Sequence, residues 1–309
     1  MRAPQQVSMP GLPDRVTIYE VGARDGLQNE QTTVAVDVKA EFIARLADAG
    51  LSTIEATSFV HPNWVPQLAD AEELLDAMTR REGVRYPVLV PNERGLDRAL
   101  DKGIADIAIF GSATETFARR NLNRSLDEQF TMFEPVVRRA RDNAMTVRAY
   151  VSMCFGDPWE GQVPIDQVVG VGRRLLELGC EQLSIGDTIG VGTAGHVTAL
   201  LAAFAAAGVP VDRLAVHFHD TYGQALANTL AALQSGVTTV DASAGGLGGC
   251  PYAKNATGNL ATEDLVWLLD GLGITTGVDL ERLVATSVWM ADRLGRPSPS
   301  GVVRALTSS

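Results

Sequence analysis

The stretch QVVGVGRRLLELGCEQLSIGD, residues 167–187, decides how the rest of the chain is read. Its first half carries valines and leucines at helical spacing, Gly179 interrupts, and the short run EQLSIGD follows. A glycine just past the last helical residue takes the left-handed conformation that closes the final turn. The same order of helix, glycine and strand recurs at Gly50, Gly103, Gly208 and Gly236.

Working outward from that unit, eight strands are predicted: VTIYEVG from Val16, STIEATS from Ser52, RYPVLVP from Arg85, ADIAIFG from Ala105, TVRAYVSMC from Thr146, EQLSIGD from Glu181, LAVHFHD from Leu214 and TTVDASAG from Thr238. Amphipathic segments such as VKAEFIARLADAG and SLDEQFTMFEPVVRRARDN lie between them. Eight such repeats predict an α/β fold, a (β/α)8 TIM barrel whose strand C-termini carry the chemistry. A doubly wound sheet would want a G-x-G-x-x-G turn after the first strand, and VGARDGLQNE has none. No composition break precedes residue 290, so one domain is expected over residues 14–297. It includes an additional C-terminal helix, DLERLVATSVWMADRLG, across the bottom or side of the barrel. Residues 1–13 and 298–309 are expected to be tails.

The 309 residues carry a net charge of −11, which argues against a nucleic-acid-binding surface. A small anionic substrate is not excluded, because one cationic pocket can sit on an acidic protein. Three cysteines are too few and too scattered for a disulfide framework or a zinc knuckle, so a reducing compartment is expected. The opening MRAPQQVSMPGLPDR has no apolar core of a secretory signal, and no apolar run reaches the length of a membrane span. A soluble, cytoplasmic protein with no membrane partner is the expectation.

If the barrel is right, unusual polar residues should gather at strand ends. The first strand runs into Glu20, Arg24, Asp25 and Gln28, and the second carries Glu55 and Ser58. The fifth brings Arg148, the sixth Asp187 and Thr188, and the eighth leads to Cys250 and Asn259 in GGLGGCPYAKNATGN. On the seventh, in LAVHFHDTYG, His217 and His219 occupy alternate positions and therefore share a face. Each residue also has a plainer reading. Arg24–Asp25 could be a surface ion pair, Asp187 a helix cap, and Cys250 a small buried hydrophobe. Glu55 would be costly to bury unpaired, which sets it against Arg24 or water. Cys154 and Cys180 are assigned to the core. Two imidazoles, a carboxylate and an amide oxygen make an N2O2 donor set, suited to an octahedral divalent ion such as Mg2+ or Mn2+.

With these residues assembled, the chain resembles the 3-hydroxy-3-methylglutaryl-CoA lyase family of barrel metallolyases over residues 14–297. The segments that carry the likeness are EVGARDGLQNE, IEATSFVHPNWVPQ, IGDTIGVG, HFHDTYGQALAN and GGLGGCPYAKNATGNLATED. The resemblance implies Asp25, His217, His219 and Asn259 as metal ligands, and Arg24, Glu55, Asp187 and Cys250 as catalytic or substrate-positioning residues. Gln28, Ser58 and Arg148 are candidate substrate contacts beside Arg24. Two features depart from the pattern. GDPWEG, with Asp157 and Trp159, stands where many lyases have a cysteine loop, and His61 stands where a smaller residue is common.

The implied reaction is a retro-aldol, Claisen-type cleavage of a 3-hydroxyacyl-CoA thioester to acetyl-CoA and acetoacetate. Asp25 and His217 are both candidates for the base, Arg24 would stabilise the enolate, and Cys250 would return a proton to carbon. A lyase for a longer or branched acyl-CoA, an acetyl-CoA condensing enzyme and a non-catalytic acyl-CoA binder are the alternatives. A homodimer is implied by the resemblance.

Overall fold

Eight short strands follow one another around a closed cylinder. They are β1 (Thr17–Glu20), β2 (Thr57–Ser58), β3 (Val88–Leu89), β4 (Asp106–Ser112), β5 (Thr146–Ser152), β6 (Gln182–Asp187), β7 (Leu214–Phe218) and β8 (Thr239–Ala242). Every neighbouring pair is parallel, in the order β1-β8-β7-β6-β5-β4-β3-β2. The last seam is closed by backbone hydrogen bonds from Glu20 N to Thr53 O (3.0 Å) and from Glu55 N to Glu20 O (2.8 Å). This is the expected (β/α)8 barrel, in a computed structural model that describes residues 3–30, 32–249 and 258–308.

The regular parts of β2 and β3 are brief for a local reason. Pro87 has no amide to give the ladder. Pairing there is carried instead by single contacts such as Ala56 N to Pro87 O (2.9 Å) and Ile54 N to Arg85 O (3.0 Å).

The helices are α1 (Val36–Asp48), α2 (Ala71–Ala77), α3 (Glu93–Asp101), α4 (Glu115–Leu122), α5 (Glu128–Asp142), α6 (Ile165–Leu178), α7 (Ala194–Ala206), α8 (Ala225–Gln234), α9 (Thr262–Leu272), α10 (Leu280–Leu294) and α11 (Gly301–Thr307). The five glycines read as helix stops all adopt positive φ, from 62° at Gly103 to 112° at Gly179. Strand alternation then separates two apolar groups. Ile18, Ile107, Val147, Ile185, Val216 and Val240 face the helices and join the main core, with Phe42, Leu46, Phe133 and Phe204 opposite them. Tyr19, Val21, Leu89, Ala108 and Tyr150 form a smaller cluster inside the barrel.

The extra helix α10 lies on the side, against α1 and α9. The C-terminal end differs from the tail expected of residues 298–309. Ser300 caps α11 by accepting from Val303 N (3.1 Å) and donates to Asp264 (2.7 Å), and Ser298 donates to Gly245 O (2.7 Å). The Pro/Ser composition that reads as loose chain supplies the caps that dock it. At the other end, Val7 N donates to Gly271 O (2.8 Å).

Glu20 was expected at the mouth with Arg24, but it follows inward-facing Tyr19 and so points outward. Its carboxylate accepts from Gly22 N (2.8 Å), Ala244 N (2.8 Å) and Thr262 Oγ1 (2.6 Å). Nearby, Glu263 accepts from Gly245 N (2.8 Å) and from Ser287 Oγ. Burial away from cations pushes Glu20 up to about 7 and Glu263 up to about 8, from an ordinary 4.5. Both folded-state values exceed the unfolded ones, so the stability these acids contribute is full below about pH 4.5 and is lost as pH rises through 7 to 8. The melting temperature should therefore fall between pH 5 and 9. Glu263→Gln, which keeps both hydrogen bonds without the charge, should flatten that fall by roughly a few °C. A calorimetric pH series with equal slopes for the two proteins would refute the assignment.

Candidate active site

The site begins in the π turn Gly22–Gly26, directly after β1, where Gly26 N reaches back to Val21 O (3.0 Å). A Cβ on Gly22 would meet Glu20 Oε1 at 2.6 Å, and one on Gly26 would meet Ser243 Oγ at 2.7 Å. Only glycine lets this turn sit so close to the segment after β8. The widened turn aims Arg24 and Asp25 into the barrel mouth, a common use of π geometry.

Arg24 donates through Nε to Glu55 Oε2 (2.6 Å) and through Nη1 to Asp25 Oδ1 (2.7 Å). Glu55 is fully buried and also accepts from Tyr150 Oη (3.0 Å). Glu55 therefore faces Arg24 rather than water. Burial opposes the charge on Arg24, but Glu55 and Asp25 hold it firmly as a cation. Asp25 accepts further from Gln28 Nε2 (3.1 Å) and Asn259 Nδ2 (2.8 Å). Burial raises its pKa, yet Arg24, the two histidines and Asn259 outweigh this and bring it to about 2.

His217 and His219 both point inward, their ring centroids 5.3 Å apart. Nitrogen or oxygen atoms of Asp25, His217 and His219 lie within 4.8 Å of one another. Burial, with His217 alongside, lowers His219 to about 4. At neutral pH the cluster is therefore an ionised carboxylate beside a neutral His219, the forms a divalent cation requires. Among the described residues, two buried atoms here have no hydrogen-bond partner: His219 Nδ1 and Asn259 Oδ1. Asn259 has spent its amide nitrogen on Asp25 and Leu247 O (3.1 Å), leaving the oxygen free to accept. An orphaned nitrogen and an orphaned oxygen beside an anionic carboxylate fit an oxygen- and nitrogen-liganded divalent ion.

Beneath this cluster lies a network anchored on Asp241. Arg148 donates both terminal nitrogens to Asp241, Ser184 Oγ donates to it (2.8 Å), and His217 Nδ1 lies 3.2 Å from it. Arg148 also stacks 4.0 Å over the Tyr19 ring. With Nδ1 engaged by Asp241, His217 presents Nε2 to the mouth. Asp241 and Tyr150 were missed in the sequence although both sit in predicted strands. The signal was the two-residue period, which puts Tyr150 on the same face as Arg148.

The remaining candidates separate by geometry. Gln28 and Thr188 line the cleft with Arg24, Asp25, His217 and His219, around a cavity of about 390 Å³. Arg148 is below it, committed to Asp241. Ser58 is buried and accepts from Val60 N (3.1 Å). Asp187 accepts from Val191 N (3.0 Å) and Gly192 N (2.8 Å), so it caps the following turn, the plainer of its two readings. Burial raises it to about 6. His61 is exposed in a turn, its Nδ1 accepting from Asn63 N (3.2 Å). Cys154 and Cys180 are buried as assigned, and Cys250 lies outside the described residues.

Known proteins resemble this chain closely over nearly its whole length. The HMGL-like family model matches residues 15–289. The mitochondrial hydroxymethylglutaryl-CoA lyase of Rattus norvegicus is 51% identical over 305 residues, which is 99% of this chain and 94% of the relative. The crystal structure of a Bacillus subtilis HMG-CoA lyase has a TM-score of 0.94 at 47% identity, covering 97% of this chain and all of that one. An HMG-CoA lyase from Acinetobacter baumannii, solved with coenzyme A and 3-methylmalate, has a TM-score of 0.90 at 34% identity, with 97% of each chain covered. No helix among the described residues is long and apolar enough to cross a membrane.

Asp241 offers a direct check on the lower network. Asp241→Asn should weaken Mn2+ binding by about 10-fold or more, because it releases the His217 ring. Isothermal calorimetry reads the affinity and circular dichroism the fold. A folded variant with unaltered affinity would show that His217 needs no such support.

Proposed function

The chain belongs to the HMGL-like family, and on that premise we propose how its cleft splits 3-hydroxy-3-methylglutaryl-CoA into acetyl-CoA and acetoacetate. The observation that carries this reading is the meeting of Asp25, His217 and His219 with a buried Arg24 cation on one cavity, with Asn259 bonded to Asp25 beside them. Asp25, His217, His219 and Asn259 hold a divalent cation, which we take to be Mg2+ or Mn2+. When bound, the cation supplies Lewis acidity that lowers the pKa of the substrate's tertiary hydroxyl.

Cleavage starts with loss of the hydroxyl proton to Asp25, which borders the cavity and has carboxylate lone pairs beyond any the cation would take. His217, the other candidate, would have Nδ1 engaged by Asp241 and Nε2 by the cation. The bond between C2 and C3 then breaks. C3 becomes the ketone carbon of acetoacetate, and the electron pair moves into the thioester enolate. Arg24 has Nε and Nη1 committed, leaving Nη2 to donate to the thioester oxygen as charge builds there. A fixed donor of this kind contributes about 3–4 kcal/mol to the transition state. Glu55, itself held by Tyr150, keeps the guanidinium from turning. Cys250 is assigned the return of a proton to C2, which completes acetyl-CoA.

Asp187 acts through the backbone by shaping the turn that carries Thr188, and Gln28 steadies Asp25. Cys154 and Cys180 are unpaired, which supports a reducing compartment, and we place the chain in the cytoplasm. Family likeness supports a homodimer.

Acetyl-CoA release from purified protein should stop with chelator and return with Mg2+ or Mn2+. Arg24→Gln and His219→Ala should each lower turnover by roughly 10³-fold or more while the barrel stays folded. Near-normal turnover by either variant would remove that residue from the mechanism, and chelator-resistant turnover would remove the cation.

A further inference from the structure

The turn GDPWEG after β5 is not absorbed by the mechanism, yet it is built with care. Asp157 and Gly161 exchange backbone hydrogen bonds of 2.9 and 2.8 Å. The Asp157 carboxylate is buried; Oδ1 accepts from Trp159 N (2.7 Å) and Glu160 N (2.9 Å), and Oδ2 accepts from Thr114 Oγ1 (2.6 Å). Thr114 immediately precedes α4. Glu160 takes the Thr116 amide of the same helix (2.5 Å), and the Arg120 guanidinium lies 4.4 Å over the Trp159 ring. The turn thus fastens α4 at three points, and α4 supplies Phe117, Arg120 and Asn121 to the cleft wall.

Among the described residues, Arg120 has no carboxylate partner, whereas its neighbour Arg119 pairs with Glu115 (2.6 Å). Arg24 and Arg120 are the two cationic side chains among the described residues lining the cleft, and the charge of Arg24 is matched by Glu55 and Asp25 at its base. Arg120 is exposed, on the wall nearer solvent. An uncompensated guanidinium at the opening of a cleft, on a chain of net charge −11, is a local attractor for an anion. Stacking on Trp159 fixes its direction without consuming its hydrogen-bond donors.

We propose that Arg120 binds a phosphate group of the substrate's coenzyme, with Trp159 and Asp157 as its positioning residues. The proposal rests on the acyl-CoA reading and extends it to the anionic end of the substrate, away from the acyl carboxylate at the cavity floor. It also accounts for the aspartate and tryptophan in this turn: the first ties it to α4, and the second is the platform for the cation.

Two thioesters separate the phosphate from the acyl carboxylate: the 3-hydroxy-3-methylglutaryl ester of coenzyme A and that of phosphate-free pantetheine. Arg120→Ala should raise KM for the coenzyme A ester about 10-fold with kcat little changed, a size typical of a lost charge-assisted contact. The deficit should shrink to about 2-fold or less on the pantetheine ester and with rising salt. Arg120→Lys and Trp159→Phe should recover most of the loss, while Trp159→Ala should not. An unchanged KM for the coenzyme A ester in Arg120→Ala, or an equal deficit on both esters, would overturn the proposal. Calorimetric titration of free coenzyme A into wild type and Arg120→Ala reads the same contact without turnover. If wild type cleaved neither ester, the lyase reading would fail, and this titration would still decide the phosphate contact.

Discussion

Arg24 is 5% exposed, and its ion pair with Glu55 constrains everything around the cleft. Neither charge tolerates that depth alone, since an unpaired buried ion is strongly destabilising. The two residues come from different elements, the turn after β1 and the strand leading into β2. They meet only because the Glu55 amide bonds to the Glu20 carbonyl at the closing seam. A one-residue slip of that seam would turn Glu55 outward and strand the guanidinium. The same contact therefore closes the cylinder in one register and fixes the donor that faces the enolate. Tyr150, reaching across from β5 to Glu55, ties the opposite wall into this arrangement.

A second tier repeats the logic one layer lower. Arg148 and Asp241 face each other across the interior from β5 and β8, with Ser184 supplying a further donor. Tyr19 and Tyr150 present ring faces to Arg148, so the guanidinium plane is covered while its edges bond Asp241. Arg148 lowers Asp241 despite burial, keeping it anionic, and an anion there holds one nitrogen of His217. The interior is thus a stack of paired charges set among the small apolar cluster of Tyr19, Val21, Leu89, Ala108 and Tyr150, each charged layer orienting the one above.

The sequence made the barrel legible because its signals are local. Helical spacing, a glycine and a short apolar run fall within one unit, and repetition does the rest. The residues at the mouth were also legible, since His217 lies near the end of β7, Arg24, Asp25, His219 and Asn259 come after strands, and the family likeness concentrates there. What stayed hidden depends on pairs far apart in the chain. Arg148 reads as a substrate contact until Asp241, 93 residues later, is seen to occupy it. Glu20 reads as a member of the mouth because it precedes Arg24 by only four residues, yet strand alternation sends it to the other side. The tail ending in RPSPSGVVRALTSS reads as loose because its caps find partners, Gly245 and Asp264, that local sequence does not reveal.

Which side of the barrel wall a carboxylate faces decides its chemistry. Asp25 looks inward onto a guanidinium and two imidazoles and stays ionised to about pH 2. Glu263, equally buried on the outer side, meets only backbone amides, a serine hydroxyl and the field of Glu20, and holds its proton to about pH 8. The inner acid is available to bind a cation or take a proton; the outer one, neutral in acid, can only shape the chain. On the inner face Arg24 and Arg148 are matched by Asp25, Glu55 and Asp241. Acceptance of an anionic thioester by this acidic protein therefore falls to the divalent cation the site would hold and to Arg120 at the opening of the cleft.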